Sequence, residues 1–179
     1  MFLGVDELLK KVQNDKLVEG LCERELNNPE GAGFDLRVGE FFKIQGEGFL
    51  GETERKTCKT ISAAVYKEGE KRVVKLKPGD FYLVKTIEKV NLPQDLVGIL
   101  KPRSTLHRMG LFLMTTQIAP GYQGELTLAL KNVGDATVEI ELGSRIVHFM
   151  CSKVDGKTHL YRGQWQGGRV TTEKKEKQV

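Results

Sequence analysis

The sequence predicts a mainly β protein: a barrel or sandwich of short strands, preceded by one short helix. Apolar residues alternate with polar ones over several short segments, which is typical of strands with one buried face. From residue 73 onward, turn signals separate these segments at intervals of roughly ten residues, as in all-β barrels and sandwiches. Of the 179 residues, 39% are apolar, enough for one sizeable core in a single domain.

The predicted helix lies near the N-terminus and ends near Asp15. Acidic residues at its start and lysines after them suit the helix dipole. Its apolar residues recur at helical spacing, at Val5, Leu8, Leu9 and Val12. Residues 22–33 are polar and contain Pro29 and Gly31, so they predict a loop.

The strands follow in chain order. At 34–38 apolar residues alternate with Asp35 and Arg37, which predicts a strand with one charged face, and the pattern resumes at 41–44. Residues 45–71 predict an insertion with about two strands, in which the charged run 67–72 forms a hairpin turn. The later strands are predicted around 73–76, 81–84, 97–100, 111–118, 125–131, 138–140 and 146–150.

The stretch 101–111 (KPRSTLHRMGL) concentrates polar chemistry between two apolar segments. Pro102 favours an extended residue before it, and a short turn or helical start after it would aim the Ser104 and Thr105 hydroxyls at one point. Arg103 adds planar, bidentate donors that suit phosphate. We therefore predict an anion site here; the alternative is a basic surface loop.

Charge and cysteine content exclude several classes of protein. The 28 basic and 24 acidic residues leave a mild net charge of +4, without the basic block that nucleic-acid binding favours. The three cysteines are far apart and the three histidines lack zinc-site spacing, so neither a disulfide framework nor a zinc site is predicted. No window of the sequence approaches a membrane span. We expect a cytoplasmic protein that binds neither nucleic acid nor membrane.

Seven short motifs, in this order, together resemble the dUTPase and dCTP deaminase superfamily, most closely its dCTP deaminase-like branch. They are residues 31–36 (GAGFDL), 77–81 (KPGDF), 91–93 (NLP), 103–111 (RSTLHRMGL), 118–126 (IAPGYQGEL), 145–148 (RIVH) and 163–167 (GQWQG). The resemblance implies a distorted β-barrel or jelly-roll of the dUTPase-like (β-clip) type. It divides the chain into a β domain with the N-terminal helix, 1–160, and a flexible C-terminal lid, 161–179.

The resemblance also implies a function. Members convert dCTP to dUTP, or dUTP to dUMP and pyrophosphate, or both, in homotrimers whose sites lie between subunits. Magnesium accompanies the triphosphate and no zinc takes part. A deoxypyrimidine nucleoside triphosphate is therefore the expected ligand, and the choice between cytosine and uracil stays open.

Matching the motifs residue by residue gives each site residue an expected role. Phosphates would bind Arg103, Ser104 and Thr105, and a neighbouring chain's lid would close over them through Tyr161, Gln164 and Gln166. The main chain around Thr116, Gln117 and Ile118 would read the base edge, Tyr122 would pack beneath the deoxyribose, and Arg108 would hold the pyrimidine and the catalytic water. Asp35 would support Arg108 or the metal's water shell; the alternative is an ion pair within the sheet.

The sequence departs from the family at the catalytic carboxylates. The expected aspartate of the third motif is Ala119, and the glutamate of the deaminase branch is Ala129. A methyl group cannot take a proton from water, so we expect impaired catalysis, with Glu125 as a less favoured replacement base. The fourth motif's usual glutamine is His148 and the lid's usual lysine is Gln164. The leading hypothesis is an enzyme of this type, and the alternative is a non-catalytic deoxynucleotide-binding protein or sensor.

Overall fold

The structure, a computed structural model, describes residues 1–178 and confirms the mainly β fold class. Val179, the last residue of the predicted lid, lies outside the described residues. The helices are α1 (Val5–Asp15), α2 (Glu23–Asn27) and α3 (Ser104–Arg108), and a 3₁₀ turn covers Gln166–Gly168. The strands are β1 (Val18–Glu19), β2 (Phe34–Gln45), β3 (Phe49–Leu50), β4 (Glu54–Lys56), β5 (Lys59–Val65), β6 (Val73–Leu76), β7 (Phe81–Asn91), β8 (Leu96–Pro102), β9 (Leu111–Met114), β10 (Gln123–Asn132), β11 (Val138–Glu141), β12 (Arg145–Lys153) and β13 (Glu176–Lys177).

The main sheet curls into a nearly closed barrel. Its strands run in the order β8-β12-β2-β7-β10-β9, with β1 added to β7 and β5 added to β2. The two ends of this order meet where Gly98 of β8 exchanges backbone hydrogen bonds of 2.8 and 2.9 Å with Ile118, just after β9. A side chain at Gly98 would place its Cβ 2.9 Å from the Ile118 side chain, so glycine is required for this close approach.

The core forms because the inward positions of the long strands are apolar. Strand β10 alternates strictly, so that Leu126, Leu128 and Leu130 are buried while Thr127 and Ala129 face the other side. Helix α1 confirms the predicted helix and packs the buried Leu8 against the barrel. No helix among residues 1–178 is long and apolar enough to cross a membrane.

Three local predictions need correction. Strand β2 runs without a break through Gly39, where its pairing with β7 shifts register between Val38 and Glu40, so 34–38 and 41–44 are one strand. The predicted loop 22–33 contains α2, which buries Glu25. The turn near Gly69 does not close a hairpin, because β5 pairs with β2 whereas β6 pairs with β11.

A second small sheet joins the insertion to the C-terminus. The insertion contains β3, β4 and β5; β3 and β4 form a hairpin, and β13 from the end of the chain pairs with β4. We call this three-stranded sheet the clasp. It places the C-terminal segment against its own chain.

Candidate functional site

A cavity of about 470 Å³ lies between the barrel and the C-terminal segment. Its wall is mostly apolar, with leucines from β7, β8 and β10. Five of the predicted nucleotide residues line it together with one expected carboxylate position: Thr116, Gln117, Ile118, Tyr122, Tyr161 and Ala119. The structure therefore brings the predicted base and sugar residues together at one cavity. We call this space the covered cavity.

The C-terminal segment forms the cover of the cavity. The rings of Tyr122 and Tyr161 meet edge to face, with centroids 5.4 Å apart and planes at 77°. Tyr122 is buried, its hydroxyl donates to the Glu125 carbonyl at 2.6 Å, and burial raises its pKa to about 12. The Gln166 side chain donates to the Gly121 carbonyl at 3.0 Å and accepts from the Gln123 amide at 3.2 Å. These contacts fix the cover to the turn that carries Tyr122.

The clasp secures the other side of this cover. The Arg55 guanidinium of β4 lies 4.6 Å from the centroid of the Trp165 ring and contacts the Gln164 side chain. Thr57 exchanges hydrogen bonds with the hydroxyls of Thr171 and Thr172, and its amide donates to Thr172 at 3.0 Å. Gln164 is thus engaged within its own chain.

A separate cleft of about 500 Å³ contains the predicted phosphate residues Arg103 and Thr105. Arg145 and Ser144 line it too, whereas Ser104 and Arg108 do not. Arg103 caps the start of α3, and its amide donates to the Ile146 carbonyl of β12 at 3.0 Å. We call this space the charged cleft. None of the residues that line it lines the covered cavity.

Asp35 is the centre of the charges behind this cleft. Strand pairing sets Asp35 of β2 opposite His148 of β12, whose Nδ1 lies 2.9 Å from Asp35 Oδ1. The second oxygen, Oδ2, accepts from Arg145 at 3.2 Å and contacts the Arg103 guanidinium. Both carboxylate oxygens are occupied, so Asp35 supports Arg103 rather than Arg108, and the ion-pair alternative describes it.

Glu25 completes this network from α2. Its side chain is 1% exposed, accepts from the Asp35 amide at 2.9 Å and contacts Arg24. Burial and the neighbouring Arg145 lower the pKa of Arg103. Burial also lowers the pKa of His148, with Arg103 acting in the same direction and Glu25 against it. Burial therefore opposes protonation of His148, which lies among closely spaced ion pairs.

Arg108 and the two expected carboxylate positions lie in different parts of the structure. Arg108 is exposed and donates to the Ser104 carbonyl at 3.1 Å, within its own helix turn. Ala119 lines the covered cavity, while Ala129 lies two residues beyond Thr127 on the same face of β10. Glu125 is directed toward Lys89, 3.9 Å away, and is not a lining residue. Across residues 1–178, no carboxylate lines the covered cavity.

Sequence reasoning missed several residues of the site, namely Glu25, Arg55, Thr57, Thr127 and Arg169. The glycine-rich, aromatic composition of the C-terminal segment predicted a cover. No pattern in the insertion predicted that Arg55 and Thr57 would contact this segment. In the part of the chain that the structure describes, no three His, Cys, Asp or Glu side chains come together as a metal site.

Comparisons with known proteins identify relatives of the whole chain. Residues 2–154 match the family described as dCTP deaminase-like. A dCTP deaminase of Pyrococcus furiosus is 33% identical over 169 residues, covering 93% of this chain and 96% of the relative. A dCTP deaminase of Thermococcus kodakarensis is 32% identical over 160 residues, covering 89% and 90% of the two chains.

Solved structures agree on the fold. A 2′-deoxycytidine 5′-triphosphate deaminase from Agrobacterium tumefaciens superposes with a TM-score of 0.63 at 17% identity, over 84% of this chain. The match spans only 46% of that longer chain. A mutant dUTPase from Staphylococcus aureus phage phi11, whose structure shows a structural Mg(II) ion, gives 0.51 at 20% identity, over 82% of this chain and 95% of that one. Both likenesses support the dUTPase-like β fold.

Proposed function

Because this chain belongs to the dCTP deaminase-like family, we propose that it binds a deoxypyrimidine nucleoside triphosphate and turns it over slowly. The reaction would be of the family's type, dCTP to dUTP or dUTP to dUMP. The observation that carries the proposal is the covered cavity, which gathers the predicted base and sugar residues Thr116, Gln117, Ile118 and Tyr122 under an aromatic cover.

The phosphates belong to the charged cleft. Arg103 and Arg145 offer charge-assisted donors, and Thr105 adds a hydroxyl. Among residues 1–178 the cavity and the cleft share no lining residue, which supports a site assembled from the cavity of one subunit and the cleft of another. A homotrimer gives three such sites by closed symmetry. The exposed Phe112 and Met114 on the edge strand β9 offer apolar surface for such contacts.

Magnesium would enter with the nucleotide. The described residues bring together no ligand cluster, and both oxygens of Asp35 are occupied by Arg103, Arg145 and His148. Magnesium is commonly held by substrate phosphates and water with few protein ligands, and that mode fits this chain. Bound there, the ion would neutralise part of the triphosphate charge, while the arginines hold the remaining oxygens.

Slow turnover follows from the missing proton acceptor. Deamination adds water to the carbon that carries the amino group and releases ammonia, and triphosphate cleavage adds water to phosphorus; both need a group that takes a proton from water. The methyl groups of Ala119 and Ala129 cannot do so, and Glu125 is directed at Lys89. Loss of a positioned acid–base group lowers a rate by about 10²–10⁴-fold.

The second candidate function is nucleotide binding without turnover. The same two alanines favour it, together with a cavity wall that carries no carboxylate among the described residues. In this case the nucleotide would act as a signal.

Incubation of the pure protein with magnesium and either dCTP or dUTP, followed by product separation and calorimetry, tests both candidates. We expect binding of both nucleotides and product formation at least about 10²-fold slower than in an active family member assayed in parallel. Binding with no product would favour the second candidate. Absence of binding would contradict both.

A further inference from the structure

Thr127 stands apart from the other polar groups of the covered cavity because its hydroxyl has no partner. Among residues 1–178, buried side-chain nitrogen or oxygen atoms outside hydrogen-bond geometry belong to Arg55, Arg103 and Thr127, of which Arg103 still forms an ion pair with Asp35. Only Thr127 of these three lines the covered cavity. Buried hydroxyls are nearly always satisfied, so an unpaired one at a cavity wall has its hydrogen-bonding capacity available to a water molecule or a ligand inside the cavity.

The other buried polar groups on this wall are already engaged. The Thr57 hydroxyl lies 2.7 Å from that of Thr171, and the Tyr122 hydroxyl donates to Glu125. The Tyr161 hydroxyl accepts from the Trp165 amide at 3.3 Å, and Arg169 is paired with Glu176. The remaining polar side chains, Thr116 and Gln117, are exposed. Thr127 is therefore the buried hydroxyl that is free to recognise a ligand.

Strand pairing places Thr127 beside the segment expected to read the base. Ala129 of β10 pairs with Met114 of β9, so the chain just beyond that pair brings Thr127 toward Thr116. On its other side Thr127 pairs with Lys85, next to a register shift at which β7 bulges opposite Leu126. Bulges are frequent next to binding sites because they end regular pairing locally. Ala129 lies on the same face of β10 as Thr127.

We propose that the Thr127 hydroxyl contacts the 4-position of the pyrimidine and lets this site accept cytosine and uracil alike. A hydroxyl can accept from the amino group of cytosine or donate to the carbonyl oxygen of uracil by rotating its hydrogen. A carboxylate could only accept, and a main-chain amide could only donate. Thr127 is a specificity-determining residue in this proposal, which rests on the proposed function of nucleotide binding.

The substitution Thr127→Val tests the proposal because it exchanges the hydroxyl for a methyl group at constant volume. Loss of one hydrogen bond predicts about 5-fold weaker binding of both dCTP and dUTP, measured by calorimetry with magnesium. Thr127→Ser should restore both affinities to within about twofold of the unmodified chain. Thr60→Val, the same change on β5 away from the cavity, serves as the matched control and should leave both affinities unchanged.

The role of Thr127 and the proposed function of nucleotide binding are contradicted by different results. Unchanged affinities in a folded Thr127→Val protein would overturn the assignment of Thr127, and a loss for one nucleotide alone would overturn its dual pairing. Failure of the unmodified chain to bind either nucleotide would instead refute the proposed function, and the inference with it. Thr127→Val replaces an unpaired hydroxyl with a methyl group, so it should not lower the midpoint of thermal unfolding. A lower midpoint would mean that the hydroxyl is paired in the folded protein.

Discussion

The covered cavity and the charged cleft differ in polarity and in how their polar groups are paired. The cavity is mostly apolar and is covered on one side by its own C-terminal segment, and among residues 1–178 the buried Thr127 hydroxyl on its wall lacks a partner. The cleft is backed by a network in which Asp35 and Glu25 already neutralise Arg103 and Arg145. A ligand in the cavity would meet no carboxylate among the described lining residues, whereas a phosphate in the cleft would have to share Arg103 with Asp35. For the proposed nucleotide, the contrast would put base recognition in a preformed space and phosphate recognition in an exchange of ion pairs.

The largest effect is expected from breaking the network behind the cleft. Asp35→Ala removes the acceptor shared by Arg103, Arg145 and His148, and removal of one partner from a buried ion pair costs about 3–5 kcal/mol of unfolding free energy. Urea titration followed by circular dichroism measures this loss.

Glu70→Ala is the matched control, since its contact with Lys67 is exposed on both sides. The control should leave the urea midpoint nearly unchanged. Equal midpoints for Asp35→Ala and the unmodified chain would mean that the network carries no stability.

The next effect concerns the alanines beside the covered cavity. Ala129→Glu should raise dCTP deamination by about 10²-fold, because a carboxylate on the face of Thr127 can take the proton of the attacking water. Ala119→Asp should raise dUTP cleavage instead, since Ala119 lines the same cavity. Chromatography of the products distinguishes the two reactions.

A folding check must accompany both variants, because each buries a carboxylate. If the unmodified protein already matches active family members in rate, another residue is the base, and Glu125→Gln is then the decisive variant. Folded variants that bind nucleotide but gain no activity would contradict the assignment of these two positions.

Removing the phosphate contact should weaken binding by a smaller amount. Arg103→Ala should cost about 2–3 kcal/mol of triphosphate affinity through the loss of charge-assisted hydrogen bonds. The nucleoside, which lacks phosphates, should lose much less, and parallel calorimetry of the two ligands measures the difference. Equal losses for both ligands would assign Arg103 to the stability of the fold.

A modest effect is expected where the clasp meets the cover. Arg55→Ala removes the cation–π contact with Trp165, worth about 0.5–1 kcal/mol, and should weaken nucleotide binding by roughly 2–5-fold. Trp165 is the only tryptophan in the sequence, so its fluorescence reports directly on the cover. Arg162→Ala, an exposed arginine of the same segment, is the control. Identical spectra and affinities for the two variants would mean that the clasp does not contribute to nucleotide binding.

The contrast between the regions also explains what could be read from the sequence. The strands beside the cavity alternate over long segments and were predictable from local pattern. The grouping of Thr116, Gln117, Ile118 and Tyr122 at one site came from the resemblance of their motif to the family. Helix α2 has only five residues, too few to show a helical period, and its polar composition concealed Glu25. The pairing of β13 with β4 joins strands of two and three residues across the length of the chain, and no alternation exists over so few positions.

The smallest effect is a pH dependence that His148 adds to the cluster. Burial lowers the pKa of His148 in the folded chain, so as pH falls below about 6.5 the unfolded chain takes up the proton first. Stability linked to neutral His148 is therefore complete above that pH and declines below it. His148→Gln should flatten this part of the profile, measured as urea midpoints between about pH 5 and pH 8, while the exposed His159→Gln should not. A profile that rises toward acid pH would mean that the charge of Asp35 outweighs burial, although Arg103 and Arg145 already share it.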